Sequence, residues 1–123
     1  MKNIIFILFL FISTNVLGVE KKTNFSNEIF NQAKEDGKTI VINSYEKWCV
    51  TCGKQIKILN EAEQKFKNIV FLSYEQSKNK DIAKLLNIDF WTTIIVFKGN
   101  EEKARIIGQT DKDEIYKAIL KGI

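Results

Sequence analysis

The chain has two cysteines, Cys49 and Cys52, and they stand three residues apart in Trp48-Cys49-Val50-Thr51-Cys52. An apolar run, Thr39 to Tyr45, precedes them, and a helical pattern begins at the first cysteine. A sulfur at a helix start lies near free backbone N–H groups and the positive end of the helix dipole, and both favour a thiolate over a thiol. That makes Cys49 the nucleophile of a redox pair. Cys52 falls one turn on, within reach of a mixed disulfide formed at Cys49, and is the resolving thiol. Two other uses of the pair stay open. A structural disulfide is common in small exported chains, but closing so short a loop removes little unfolded-state entropy. Half of a zinc or iron–sulfur site would need about four N or S ligands. With no histidine and no third cysteine, only a dimer sharing two pairs could supply them.

The pair needs a strand to lead into it and a helix to carry it. Thr39 to Tyr45 is rich in β-branched residues and apolar on both faces, as a central strand should be. The helix expected from Cys49 to about Lys67 turns Cys52, Ile56, Leu59, Ala62 and Phe66 inward at spacings of three and four. Gly53 in its first turn costs about 1 kcal/mol against alanine; it is read either as leaving room beside the cysteines or as a neutral surface glycine. Asn68 ends the helix and Ile69 to Tyr74 is the next strand, completing a parallel strand–helix–strand crossover. An earlier helix is expected from Ser26 to Asp36, with Ser26 as N-cap, Ile29, Phe30 and Ala33 inward and Gly37 as a left-handed stop. Residues 19–24 before it are polar and expected to be loose.

Downstream, Ile82, Leu85 and Leu86 mark a short helix ending near Asn87. Thr93 to Lys98 is a strand, Gly99-Asn100 a turn and Ala104 to Ile107 its antiparallel partner. The last helix is expected at the box Thr110-x-x-Asp113, with Ile115, Ala118 and Ile119 inward.

Three runs carry a family resemblance. Ile40 to Cys52, Thr93 to Gly99 and Ile106-Ile107-Gly108 resemble, in that order, the active-site strand and helix start, the strand and turn beyond the cis-proline loop, and the strand before the last helix of the thioredoxin superfamily. The likeness spans most of residues 19–123. Val50-Thr51 between the cysteines is most similar to the periplasmic carboxy-terminal domain of bacterial transmembrane thiol-disulfide interchange proteins. The resemblance implies a thioredoxin-like α/β fold in a single domain, with a central mixed β-sheet flanked by helices. It also implies exchange with protein thiols and disulfides, with no cofactor and no metal.

The chain departs from that family at two positions. Asn43 stands where the resemblance implies a buried aspartate that moves protons for the resolving thiol, and asparagine cannot titrate. Glu46 could substitute as proton carrier; it is read first as a solvated loop charge. Thr92 stands where the family has its cis-proline, and the chain contains no proline. The resemblance then implies a cis Trp91-Thr92 bond, at about 3–4 kcal/mol without proline; the alternative is a relaxed trans loop that moves Trp91. Trp48 matches the aromatic before the motif and suggests a flat partner surface. Trp91 either shields the disulfide and contacts substrates or fills the core.

The amino-terminal end and the composition set the context. Lys2, an unbroken apolar run from Ile4 to Ile12, and Val16-Leu17-Gly18 read as a cleavable signal peptide over residues 1–18. About nine apolar residues cannot span a bilayer, which takes about 20; the competing reading is a retained anchor. Residues 19–123 make one domain with one modest core. The net charge of +4 falls to about +3 without Lys2 and is distributed along the chain, which excludes a nucleic-acid role.

The expected function is therefore an exported, periplasmic and monomeric thiol–disulfide oxidoreductase. It is read as a reductant, because neither residue between the cysteines is a histidine, the residue that in oxidising relatives stabilises the thiolate. Its electrons would come from a membrane or periplasmic donor protein. The alternative is a thioredoxin-like binding module that holds clients or a metal with little turnover.

Overall fold

The computed structural model describes residues 23–123, and the signal-peptide expectation over residues 1–18 lies outside them. The elements run α1 (Asn27–Glu35), β1 (Thr39–Tyr45), α2 (Val50–Lys65), β2 (Ile69–Glu75), α3 (Lys80–Leu85), β3 (Thr93–Lys98), β4 (Glu101–Ile107) and α4 (Lys112–Leu120). The strands form one mixed sheet in the order β2-β1-β3-β4. β1 pairs with β2 in parallel and with β3 antiparallel, and β3 pairs antiparallel with β4. This is the thioredoxin-like α/β architecture expected, with β1 at the centre.

The alternation of side chains along a strand divides the core in two. Ile40 and Ile42 of β1 pack with Phe30 and Ala33 of α1, Ile82 of α3 and Ile95 of β3. Val41, between them, faces the other way and packs with Leu59 and Ala62 of α2, Ile94 and Val96 of β3, and Ile115 and Ile119 of α4. All seven residues of β1 are buried, which is why its sequence is apolar on both faces. At the outer edge β4 carries Glu101, Glu102, Lys103 and Arg105, charges that discourage pairing with another strand.

Several local expectations change. Ser26 caps α1 through Ile29 N–H and Gly37 has a φ of +66°, but Ile29 is half exposed. Phe66 is only partly buried, against Tyr116, and Leu85 is exposed. The cap of α4 is Asp111, whose carboxylate accepts the Glu114 N–H at 3.0 Å; Thr110 does not fill that role. A Cβ on Gly53 would meet nothing within 4 Å, so that glycine leaves open space and makes no room beside the cysteines. Thr23 and Asn24 are not loose. The Asn24 and Phe25 N–H groups donate to Ser73 O, the Asn24 Oδ1 accepts the Ser73 N–H, and Thr23 Oγ1 accepts the Glu75 N–H. Together they cover the upper part of the β2 edge.

The C-terminal turn closes the opposite end of the sheet. Thr39 Oγ1 donates to Gly122 O, and a Cβ at Gly122 would lie 2.6 Å from Val96 Cγ1 and 3.0 Å from Thr39 Cγ2. Val96 is fully enclosed, so neither neighbour can move away cheaply. Gly122→Ala should therefore cost about 1–3 kcal/mol through overpacking, read as a lower urea midpoint at unchanged slope. An unchanged midpoint would mean that the last turn is not seated on β1 and β3.

Candidate functional site

Cys49 is the N-cap of α2, with extended backbone (φ −88°, ψ 112°), and its Sγ accepts the Cys52 N–H at 3.1 Å. The helix expected from Cys49 thus starts one residue later, with the sulfur in the capping position itself. Cys49 and Cys52 form a disulfide with Cα atoms 5.2 Å apart. Cys52 is fully buried with Tyr45 and Ile56, while Cys49 is partly exposed at the rim of that cluster. The Cys49 sulfur thus lies at the positive end of the α2 dipole with a capping N–H directed at it, whereas the Cys52 sulfur is enclosed.

Around Cys49 lies an exposed apolar rim. Trp48 is 70% exposed, Val50 76% and Trp91 39%. The Trp48 and Trp91 rings meet edge to face, 5.2 Å between centroids, so Trp91 is a surface residue beside the disulfide and not a core tryptophan. A separate groove of about 630 Å3, between α1, α3 and the β3–β4 hairpin, is lined by Phe30, Leu86, Phe97 and Arg105 among others and contains neither cysteine. The exposed aromatic side chains beside the thiols form an apolar surface of the kind that suits a macromolecular partner.

The loop carrying Trp91 is fastened on both sides of it. Phe90 O accepts Thr93 Oγ1–H at 2.6 Å and Ser44 Oγ–H at 3.0 Å. The Thr92 N–H donates to Ser44 O at 2.9 Å, and Thr92 O accepts the Gly108 N–H at 3.0 Å. Among the described residues the backbone N–H and C=O of Trp91 have no hydrogen-bond partner.

The expected cis bond is overturned, since no cis peptide bond occurs among the described residues. The turn is made instead by Thr92 at a φ of +68°. For a β-branched residue that region is strained by about 1–3 kcal/mol, still less than a cis bond without proline. The Trp91-Thr92 bond is therefore trans, and the turn before β3 is made by a left-handed residue instead.

Two polar residues of β1 and its exit are corrected or explained. Glu46 is not a solvated loop charge: it is 5% exposed, and its carboxylate accepts the Ser77 N–H at 2.6 Å and the Ser77 Oγ–H at 3.0 Å. With its backbone O accepting the Cys49 N–H at 3.3 Å, it ties the active-site loop to the start of α3. Asn43 is 1% exposed; its Nδ2 donates to Ser44 O at 3.4 Å and its Oδ1 has no partner. Tyr74, also enclosed, donates its hydroxyl to Gln76 Oε1 at 2.7 Å, and burial raises its pKa well above the usual tyrosine range, so that it remains a neutral donor.

Sequence reasoning missed Gln55. It is fully buried, and its Nε2 donates to Thr92 O and Gln109 O, both at 3.0 Å. A signal was present: Gln55 stands three residues after Cys52 on the inward stripe of α2, where an amide must find partners.

Known proteins resemble this chain in sequence and fold. A family model described as Thioredoxin matches residues 16–121. Among curated relatives, an H-type thioredoxin of Fagopyrum esculentum is 31% identical over 93 residues, 76% of this chain and 79% of the relative. The crystal structure of thioredoxin NaTrxh from Nicotiana alata matches with a TM-score of 0.71 at 25% identity, covering 85% of this chain and 98% of that one. Trxlp from Edwardsiella tarda shares the fold, with a TM-score of 0.71 at 21% identity over 76% of this chain and 92% of that one.

Proposed function

We propose, from the premise that the chain belongs to the thioredoxin family and is a thiol–disulfide oxidoreductase, that it works outside the cytoplasm as a reductant of protein disulfides. The Cys49 thiolate attacks one sulfur of a substrate disulfide, forming a mixed disulfide and releasing the other sulfur as a thiolate. Cys52 then attacks Cys49 Sγ, freeing the second substrate thiol and closing the Cys49–Cys52 disulfide. Two electrons pass to the substrate, and the proton of Cys52 leaves with them. A dithiol donor, a membrane or periplasmic protein in this reading, must return the pair to the reduced state.

The observation that carries the reading is the free Trp91 backbone, held beside a partly exposed Cys49 within an apolar rim. An extended chain can pair with that N–H and C=O, as an added strand does. The direction of flow rests on Val50-Thr51, which places no histidine between the cysteines, and on its similarity to the periplasmic domain of transmembrane thiol-disulfide interchange proteins. Export rests on the basic start and apolar run of residues 1–18. Turnover distinguishes this reading from a holding module.

Two measurements test it together. Equilibration of the purified protein with glutathione should give a potential near about −270 mV, as in thioredoxin, and a value near about −120 mV would make it an oxidant. In the native host the protein should be recovered outside the cytoplasm, beginning at or near Val19. An intact Met1 on a membrane-bound form would replace export by anchoring.

A further inference from the structure

The geometry points to Gln55 as a positioning residue for disulfide exchange with extended polypeptides, acting through the Thr92 carbonyl to hold the Trp91 ledge beside Cys49. The inference rests on the reading above that such a chain pairs with Trp91. Gln55 lies on α2 one turn beyond Cys52, and its amide donates simultaneously to Thr92 O and Gln109 O, each at 3.0 Å. It therefore joins three segments: the helix that carries both sulfurs, the loop before β3, and the connection from β4 to α4.

Two features argue that these bonds do more than fill space. Gln55 is fully buried, yet its Oε1 has no partner, so an apolar side chain there would avoid the loss that an orphaned acceptor carries. What an apolar side chain could not do is hold Thr92. That residue sits at a φ of +68°, a conformation that a threonine keeps only when its surroundings impose it. Ser44 of β1 and Gly108 just beyond β4 also hold Thr92, whereas among the described residues Gln55 alone bonds it to the thiol-bearing helix. Through it, the position of the loop carrying Trp91, whose ring rests on Trp48, is tied to that of α2.

Gln55→Met keeps the length and much of the packing of the side chain and removes both donors. Steady-state reduction of an extended peptide disulfide should show KM raised about tenfold with kcat changed less, the pattern of lost binding rather than lost chemistry. The circular-dichroism band of the coupled Trp48 and Trp91 rings should weaken in parallel. In Gln55→Glu the ionised carboxylate offers no donor while the protonated one offers a single O–H. Its KM should therefore fall as the pH is lowered, a profile that a space-filling role would not produce. Wild-type KM and an unchanged ring signal in folded Gln55→Met overturn the inference alone. If the wild-type enzyme itself shows no preference for the extended peptide over cystamine, the Trp91 docking reading fails and this inference with it. Should Gln55→Met not fold, hydrogen-bond scalar couplings from Gln55 Nε2 to the Thr92 and Gln109 carbonyl carbons are measured in Cys52→Ser. Couplings that are present and change when the peptide is loaded as a mixed disulfide support the role; couplings absent or unmoved overturn it.

Discussion

Cys49→Ser should abolish reduction of insulin by dithiothreitol through the enzyme, with a loss of at least about 10^3-fold, because a serine hydroxyl does not displace sulfur from a disulfide. Cys52→Ser should fail differently. With the pre-reduced variant and no dithiothreitol, Cys49 would still open the substrate disulfide, but the mixed disulfide would persist, since the chain holds no other thiol to resolve it. The asymmetry follows from position. Cys49 Sγ accepts the Cys52 N–H at the head of α2 and is partly exposed, whereas Cys52 is enclosed by Tyr45 and Ile56. Iodoacetamide should accordingly label Cys49 first in the reduced protein, and trapped partners should accumulate on Cys52→Ser and not on Cys49→Ser. Faster alkylation of Cys52, or trapping through Cys52 in Cys49→Ser, would reverse the roles. Turnover that survives Cys49→Ser would remove the dithiol from the mechanism altogether.

Most of the scaffold was legible because burial imposes a repeating pattern on sequence. β1 reads as a central strand because both of its faces are covered, and the expected bounds of β1 and β3 are the observed ones. Ser26 and Gly37 mark the ends of α1 because each supplies what a helix end lacks, an acceptor for a free N–H and a residue at ease with positive φ. The site residues were less legible, because their partners come from distant segments. Glu46 looked like a loop charge until Ser77, 31 residues away, came within hydrogen-bond distance. Gln55 drew no notice in the sequence, because its partners lie 37 and 54 residues downstream. Asp111 and Thr110 are both competent caps, and a shift of one residue at a helix start is decided by local turn geometry. Gln109 Oε1 already accepts the Thr110 and Asp111 N–H groups, which sets that turn before the helix begins. The loop at Thr92 failed for a related reason. The family resemblance supplies a shape for that loop, but with no proline at the position the turn is made by a trans bond and a left-handed threonine.

Thr92→Pro should destabilise the protein by about 3 kcal/mol or more, even though proline is the family's residue at this position. Proline fixes φ near about −65°, and the loop requires +68° at Thr92. The substitution also deletes the N–H that donates to Ser44 O at 2.9 Å, leaving that carbonyl, on a buried residue, without one of its donors. A loss of this size lowers the folded-to-unfolded ratio by more than about 100-fold, since about 1.4 kcal/mol is a factor of ten. Glycine makes the opposite test. It takes positive φ without the Cβ clash that threonine suffers, so Thr92→Gly should hold or gain up to about 1 kcal/mol, the local relief being partly offset by a freer unfolded chain. Urea unfolding of the three proteins ranks them as glycine at or above threonine, and threonine far above proline. The reverse order, with proline the most stable, would mean that the loop adopts the cis form and that +68° is not its native angle. The ranking matters for function because the same residue flanks the free Trp91 backbone. If glycine preserves stability but raises KM for an extended peptide disulfide, the strain at Thr92 is being held to keep that ledge still, and stability there has been exchanged for a fixed docking edge beside Cys49.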